Sequence, residues 1–328
     1  MMVLSGDVGG TKVNLAYYAL ESGKLTRVLL QTYPSRKFDS LSAIVRVFLR
    51  EHPASLTGAA IGIAGPVVAG RSTLTNLGWD VDAADLARDL RLEQVALLND
   101  LEATAYGTLR LEASDAVLLQ EGRSRSGGAI AVIAAGTGLG EGGLVWDGSG
   151  YRALPSEGGH VDFAPRDELE MDLLRFLMQD LDHISYERIL SGPGLSVLYR
   201  FFRSRSSERE PRWLTEALSA GNPSAVISAA GLERRDTACI DALDLFVSLY
   251  GAEAGNLALK IFASGGVYVA GGIAPKIIAK IQEGGFLTSF LDKGRHRGLL
   301  EQIPLRVVLD EHTALTGAAH YAALLSRG

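Results

Sequence analysis

Six short glycine clusters, each set against an apolar run, constrain this chain more than any other feature. They are Gly9-Gly10, Gly127-Gly128, Gly136 to Gly143, Gly158-Gly159, Gly265-Gly266 and Gly271-Gly272. Glycine beside a strand means that the backbone turns tightly there or meets a ligand closely. Two of the clusters also open the same succession of elements. Val3 to Ser5 reads as a strand, 6–11 as a glycine turn, Val13 to Leu20 and Val28 to Tyr33 as strands, and Leu41 to Leu49 as a helix with apolar residues at helical spacing. Ala129 to Ala135, the turn 136–140, Gly142 to Trp146, Tyr151 to Leu154 and a helix from Glu168 to Leu181 repeat that order. The repetition lies in element order rather than residue identity, and it predicts two α/β halves whose glycine turns offer backbone N–H groups to anions.

Between the halves, Ala59 to Ala64 and Val95 to Leu98 read as buried strands, and Leu101 to Leu109 as a helix. The pattern lapses from Leu111 to Gly128, which is the expected domain boundary. Helices dominate from Gly194 to Lys260. A strand at Val267 to Ala270, a helix at Pro275 to Gln282, a late strand at Arg306 to Leu309 and a closing helix at Leu315 to Leu325 complete the chain. The expected domains are a smaller one from 1–110 plus 300–328 and a larger one over 111–299 with a helical insertion.

Hydrophobic residues form 47% of the 328, enough apolar material for two real cores, so a mainly disordered chain is excluded. A net charge of −6 speaks against nucleic-acid or anionic-membrane binding. The arginine-rich stretch from Arg200 to Arg212 is broken by Ser206, Ser207, Glu208 and Glu210 and reads as a solvated loop. A single cysteine, Cys239, makes neither an internal disulfide nor a cysteine-based zinc cage, which suits a reducing, cytoplasmic compartment. The first residues carry no basic and apolar leader pattern, and Asp241, Asp244, Glu253 and Lys260 interrupt the apolar stretch from Ile240 to Phe262, so neither a signal peptide nor a membrane span is expected.

Two familiar nucleotide signatures fail. Gly6 to Lys12 resembles a Walker A loop, but Thr11 stands where the second glycine belongs. Gly138 to Gly143 fits G-x-G-x-x-G, yet a strand and turn follow it where a dinucleotide fold needs a helix N-terminus. What remains is chemically specific. In Gly6-Asp7-Val8-Gly9-Gly10-Thr11 an acid and a hydroxyl share one turn: Asp7 suits Mg²⁺ held through water, and Thr11 with the glycine N–H groups suits phosphate oxygens. Lys12 fits a solvated strand lysine or a phosphate contact. Asn99-Asp100 ends a buried strand, where it either caps the next helix or faces a ligand. Glu157-Gly158-Gly159-His160 has no second histidine or cysteine nearby for a metal, and its acid and imidazole suit a polyol. On its own, Glu187 reads as a helix-surface acid.

Together the set resembles bacterial glucokinases of the hexokinase–actin–Hsp70 superfamily. The likeness rests on Gly6 to Thr11, Leu98-Asn99-Asp100, Gly136-Thr137-Gly138-Leu139-Gly140, Glu157 to Phe163, Leu190 to Leu195 and Val269-Ala270-Gly271-Gly272-Ile273, in that order along the chain. The resemblance implies two actin-like (ribonuclease H-like) α/β domains flanking a nucleotide and sugar cleft. It implies Asp100 as general base on the sugar 6-hydroxyl, with Asn99, Asp100, Glu157, His160 and Glu187 on the sugar. Gly6, Asp7, Val8, Gly9, Gly10 and Thr11, together with Gly136, Thr137, Gly138 and Gly140, would form two phosphate loops, and Gly271 and Gly272 would border the adenosine. ATP, Mg²⁺ near Asp7, glucose and a homodimer follow from the same likeness. Zinc-bearing relatives carry a cysteine-rich motif after the histidine, and here Phe163-Ala164-Pro165 stands in its place, so no structural zinc is implied. The alternatives are a kinase for another hexose or N-acetylhexosamine, or a non-sugar ATPase of the superfamily.

Overall fold

The structure is a computed structural model that describes residues 1–326. Its backbone contacts divide the chain into two units, Met1–Asp115 with the segment from Asp310 onward, and Ala116–Leu309.

The first unit is built on β1 (Met2–Val8), β2 (Lys12–Glu21), β3 (Lys24–Pro34), β4 (Gly58–Ile63), a small hairpin of β5 (Arg71–Leu74) and β6 (Trp79–Asp82), and β7 (Ala96–Asn99). Its main sheet runs β3-β2-β1-β4-β7, with β1 antiparallel to β2 and parallel to β4. Side chains alternate across a strand. Leu4 and Ile61 therefore face helices Leu41–Glu51 and Ala83–Leu90, burying Ile44, Phe48 and Leu86. Ser5 points the other way and bonds the Leu315 carbonyl of the closing helix, Thr313–Leu325. That helix crosses Asp100–Thr108 so closely that a Cβ on Gly317 would stand 1.8 Å from the Ala103 carbonyl. Two thin, alanine-rich helices thus brace the strand ends from below.

The second unit repeats the plan with β8 (Ala116–Gln120), β9 (Ile130–Ala135), β10 (Leu139–Trp146), β11 (Tyr151–Leu154), β12 (Gly266–Ala270) and β13 (Leu305–Val308). Its order is β11-β10-β9-β12-β13, extended by β8 at the edge, and its parallel and antiparallel pairs match those of the first sheet. The late strand, expected in the smaller half, belongs here: Leu305–Val308 pairs with Val267–Val269 on one side and with β8 on the other. The polar lapse at 111–128 therefore hides an edge strand. The 24-residue helix Thr237–Lys260 is buried along most of its length, and the Tyr250 hydroxyl accepts the Ala135 N–H while lying 3.3 and 3.2 Å from the carbonyls of Ile133 and Ala270. One phenol thereby pins the ends of β9 and β12 beside their glycine turns.

The arginine-rich stretch is not a free loop. Helix Gly192–Arg205 runs through its first half, and the Arg203 guanidinium is mostly buried on Asp236, beside the Tyr199 ring. Asp236 caps the long helix, so this pair ties two helices together. Among the described residues, no helix is long and apolar enough to cross a membrane.

Candidate active site

In the first unit the polar residues gather where parallel strands end, the usual ligand edge of an open α/β sheet. Asp7 lies at the end of β1 and Asn99 at the end of β7, with β4 between them. At sheet spacing that separates the two strand ends by roughly 10 Å. Asp7 accepts a hydrogen bond from the Asn14 amide at 3.3 Å, and Asn14 is itself fixed by the Thr32 hydroxyl at 2.8 Å. Burial raises the Asp7 carboxyl above the usual aspartate range, against the lowering effects of Asn14, Lys12 and His312.

The sequence left open whether Asp100 caps its helix. Asn99 is the cap: its side-chain oxygen accepts the Leu101 N–H, its amide donates to the Gly65 carbonyl, and Glu102 returns a bond to the Asn99 N–H. This capping box satisfies the helix end. Asp100 is the first helical residue; its carboxylate shares the Leu101 N–H, at 2.9 Å, with its own N–H and the Asn99 side chain also close by. Its carboxyl is open to water yet hemmed in by protein, and desolvation raises it above the ordinary range, followed by the nearby charge of Asp7. A carboxylate with raised affinity for protons at a strand end is a good general base.

In the second unit, Glu157, His160 and Glu187 come together. Glu157–His160 forms a tight turn, and a short backbone pairing of Asp162 with Ser185 brings residues 185–188 alongside it. His160 stands between two acids, 3.9 Å from Glu157 and 3.8 Å from Glu187. Glu187 is therefore no helix-surface acid. It sits in a 3₁₀ turn, and its second oxygen accepts the Leu139 N–H at 3.0 Å, over the backbone of Gly138. A Cβ on Gly138 would stand 2.4 Å from that oxygen, so glycine makes the room for the carboxylate.

The glycines separate into two kinds. Gly138, Gly158, Gly159 and Gly271 are explained by protein atoms that a Cβ would strike. At Gly10, Gly136 and Gly272 a Cβ would meet nothing within 4 Å. The fold does not require a bare backbone at those three positions. Gly136 is further held by hydrogen bonds to Gly138 and from Gly192, at the start of a serine-capped helix.

The glucokinase family model matches residues 4–325. The chain belongs to the glucokinase family. A glucokinase of Nostoc punctiforme is 42% identical over 99% of both chains. A glucokinase from an Antarctic psychrotroph shares the fold with a TM-score of 0.88 at 29% identity, over 98% of this chain and 99% of that one. A ROK family glucokinase from Streptomyces griseus, solved with glucose and AMPPNP, shares it with a TM-score of 0.65 at 19% identity, over 99% and 100%. This glucokinase is thus an ATP-dependent glucose kinase on the two-domain actin-like fold.

Residues that the sequence did not single out are Asn14, Thr32, Gly65 and Tyr250, which position the site, and Glu141 and Glu253 beneath it. An acid inside a glycine-rich apolar strand, as Glu141 is, was the available signal.

Proposed function

We propose that this glucokinase transfers the γ-phosphoryl group of ATP to the 6-hydroxyl of D-glucose with Asp100 as general base. The observation that carries the reading is the division of labour at the strand end: Asn99 takes the capping duty and leaves Asp100 for a substrate. As the new O–P bond forms, the hydroxyl proton passes to Asp100 and ADP leaves with the electrons of the broken bond. Glu157, His160 and Glu187 supply acceptors and a donor for the other hydroxyls, with Asn99 beside Asp100 at the strand end. Once a bound sugar covers these groups, a wrong epimer leaves some of them unpaired, the strongest source of sugar discrimination. The turns around Gly10 and Gly136 hold phosphate, and Gly272 borders the adenosine.

Asp7 fits Mg²⁺ held through water, because a single protein carboxylate completed by substrate phosphates and water is how this ion is usually bound. Among the described residues no cluster of three or more histidines, cysteines or acids competes for a metal. When bound, Mg²⁺ neutralises charge on the β- and γ-phosphate oxygens. A homodimer working in the cytoplasm on the glycolytic supply of glucose 6-phosphate completes the reading.

The test is a panel of glucose, mannose, fructose, N-acetylglucosamine and no sugar, following ADP and sugar phosphate together. Glucose is expected to lead in kcat/KM by more than about a hundredfold. Equal ADP release without sugar would overturn the sugar assignment. For the phosphate turn, Gly10→Ala should keep the wild-type Tm, since its Cβ has open space, while raising KM for ATP by roughly tenfold, the cost of about one lost hydrogen bond to a charged group. An unchanged KM would remove Gly10 from the ATP site.

A further inference from the structure

Beneath the Glu157–His160 turn lies a carboxyl that no part of the proposed mechanism uses. Glu141 is 1% exposed, on β10 two residues past the Leu139 N–H that holds Glu187. Neither of its oxygens has a hydrogen-bond partner among the described residues, and a Cβ on Gly158 would stand 2.5 Å from one of them. Such an orphan is costly in a folded interior and demands an explanation.

The neighbour that explains it is a second acid. Glu253, fully buried on the helix Thr237–Lys260, lies within hydrogen-bonding reach of Glu141. Glu253 is well supplied: Lys260 reaches it at 2.8 Å and the Asn256 amide at 2.7 Å, and that same amide nitrogen lies 3.4 Å from the Tyr186 hydroxyl. Two facing carboxylates, both ionised, repel each other; the arrangement closes only if one carries a proton and donates it. Lys260 bonds Glu253 directly and acts on Glu141 only from farther off, so the proton belongs on Glu141.

We propose that Glu141 is a positioning residue which, as the protonated acid, donates a hydrogen bond to Glu253 and so fixes the sugar-side cluster. The proposal rests on the sugar role given above to Glu157, His160 and Glu187. The linkage is continuous. Through the Asn256 amide Glu253 is linked to Tyr186, the residue before Glu187, and Glu187 bonds Leu139 and faces His160, while Glu141 itself packs under Gly158. Losing the proton sets two charges against each other directly below the turn.

Burial, then the Glu253 charge, pushes the Glu141 carboxyl up to about 8. The other groups facing the pair are Lys260 and Tyr250 on the long helix and Tyr186 on the 3₁₀ turn, with Glu170 and Lys293 further round Glu253 and Tyr186. The sign follows from linkage. The folded state binds a proton that the unfolded chain releases near pH 4.5, so this contribution to stability is complete below that pH and is lost as the pH rises through about 8.

The experiment compares wild type, Glu141→Gln and Glu141→Leu. Glutamine donates the same hydrogen bond without titrating. The infrared spectrum of the wild type near neutral pH should show a protonated carboxyl band that Glu141→Gln lacks. Wild-type KM for glucose should rise by roughly tenfold through the alkaline range with kcat little changed, the effect of one buried hydrogen bond. Glu141→Gln should hold KM flat with pH and keep a Tm that no longer falls relative to wild type, and Glu141→Leu should show the raised KM at every pH. Absence of the carboxyl band, or an alkaline rise that survives in Glu141→Gln, overturns the shared proton. A band present with KM flat in all three proteins overturns the positioning role through its sugar-side premise, and Glu157→Gln with unchanged KM would identify that premise as the failure.

Discussion

Asp100→Asn is expected to lower kcat by at least about a hundredfold while KM for glucose stays within a few-fold. The substitution is nearly silent structurally. Asparagine keeps an oxygen for the shared Leu101 N–H, and the helix end is in any case satisfied by Asn99, Gly65 and Glu102. What disappears is the proposed acceptor of the hydroxyl proton, and a factor of a hundred in rate is about 2.7 kcal/mol of transition-state stabilisation. The acid limb of the pH–rate profile gives a second readout. Burial, the largest cause, raises the Asp100 carboxyl, so wild-type activity should fall on acidification at a pH above the ordinary aspartate range. That limb should be missing from the residual activity of Asp100→Asn. Near-wild-type kcat in the variant would assign the base elsewhere.

How much of this was legible in the sequence depends on whether the signal was local. Asp7 and the Gly9–Thr11 turn are adjacent in the chain and stay adjacent in the fold, because β1 and β2 are joined by that turn alone. The doubled succession of elements was legible for the same reason, and it surfaces as two sheets of matching strand order. Glu187 was not legible from its surroundings. Ser185-Tyr186-Glu187-Arg188 reads as a helix surface, and only the long-range pairing with Asp162 turns it toward His160. The resemblance placed it on the sugar, whereas local chemistry could not. Arg203 misled in the same way, since its partner Asp236 lies 33 residues on and composition suggests only solvation. The strand at Leu305–Val308 was recognised but assigned to the wrong half, because strand pairing is a choice among sheets that periodicity does not encode. Glu253 was visible only as a charge interrupting an apolar run. Its spacing of seven from Lys260 puts both on one helix face, and their 2.8 Å pairing makes that interruption a buried anchor.

Gly159→Ala should be the most damaging single methyl in the second unit. Its Cβ would stand 2.0 Å from the Leu139 carbonyl and 3.1 Å from the Leu139 side chain, and a backbone oxygen in a sheet has nowhere to retreat. The strand that must yield is β10, whose Leu139 pairs with Ala135 and whose N–H holds Glu187. Overpacking of this kind costs about 1–3 kcal/mol, and here the same displacement moves Glu157, His160 and Glu187, the proposed sugar contacts, together. The expected result is a clear fall in Tm, of the order of 2–4 °C per kcal/mol for a unit of this size, with a KM for glucose raised by at least roughly tenfold. KM for ATP gives the contrast. The Gly10 turn belongs to the other unit, and of the two proposed phosphate turns the one at Gly136 borders β10, so ATP affinity measured on the folded fraction should change less than glucose affinity. If glucose and ATP affinities fall equally, the damage is general, and the Gly158-Gly159 turn loses its claim to be the platform on which Glu157, His160 and Glu187 are set.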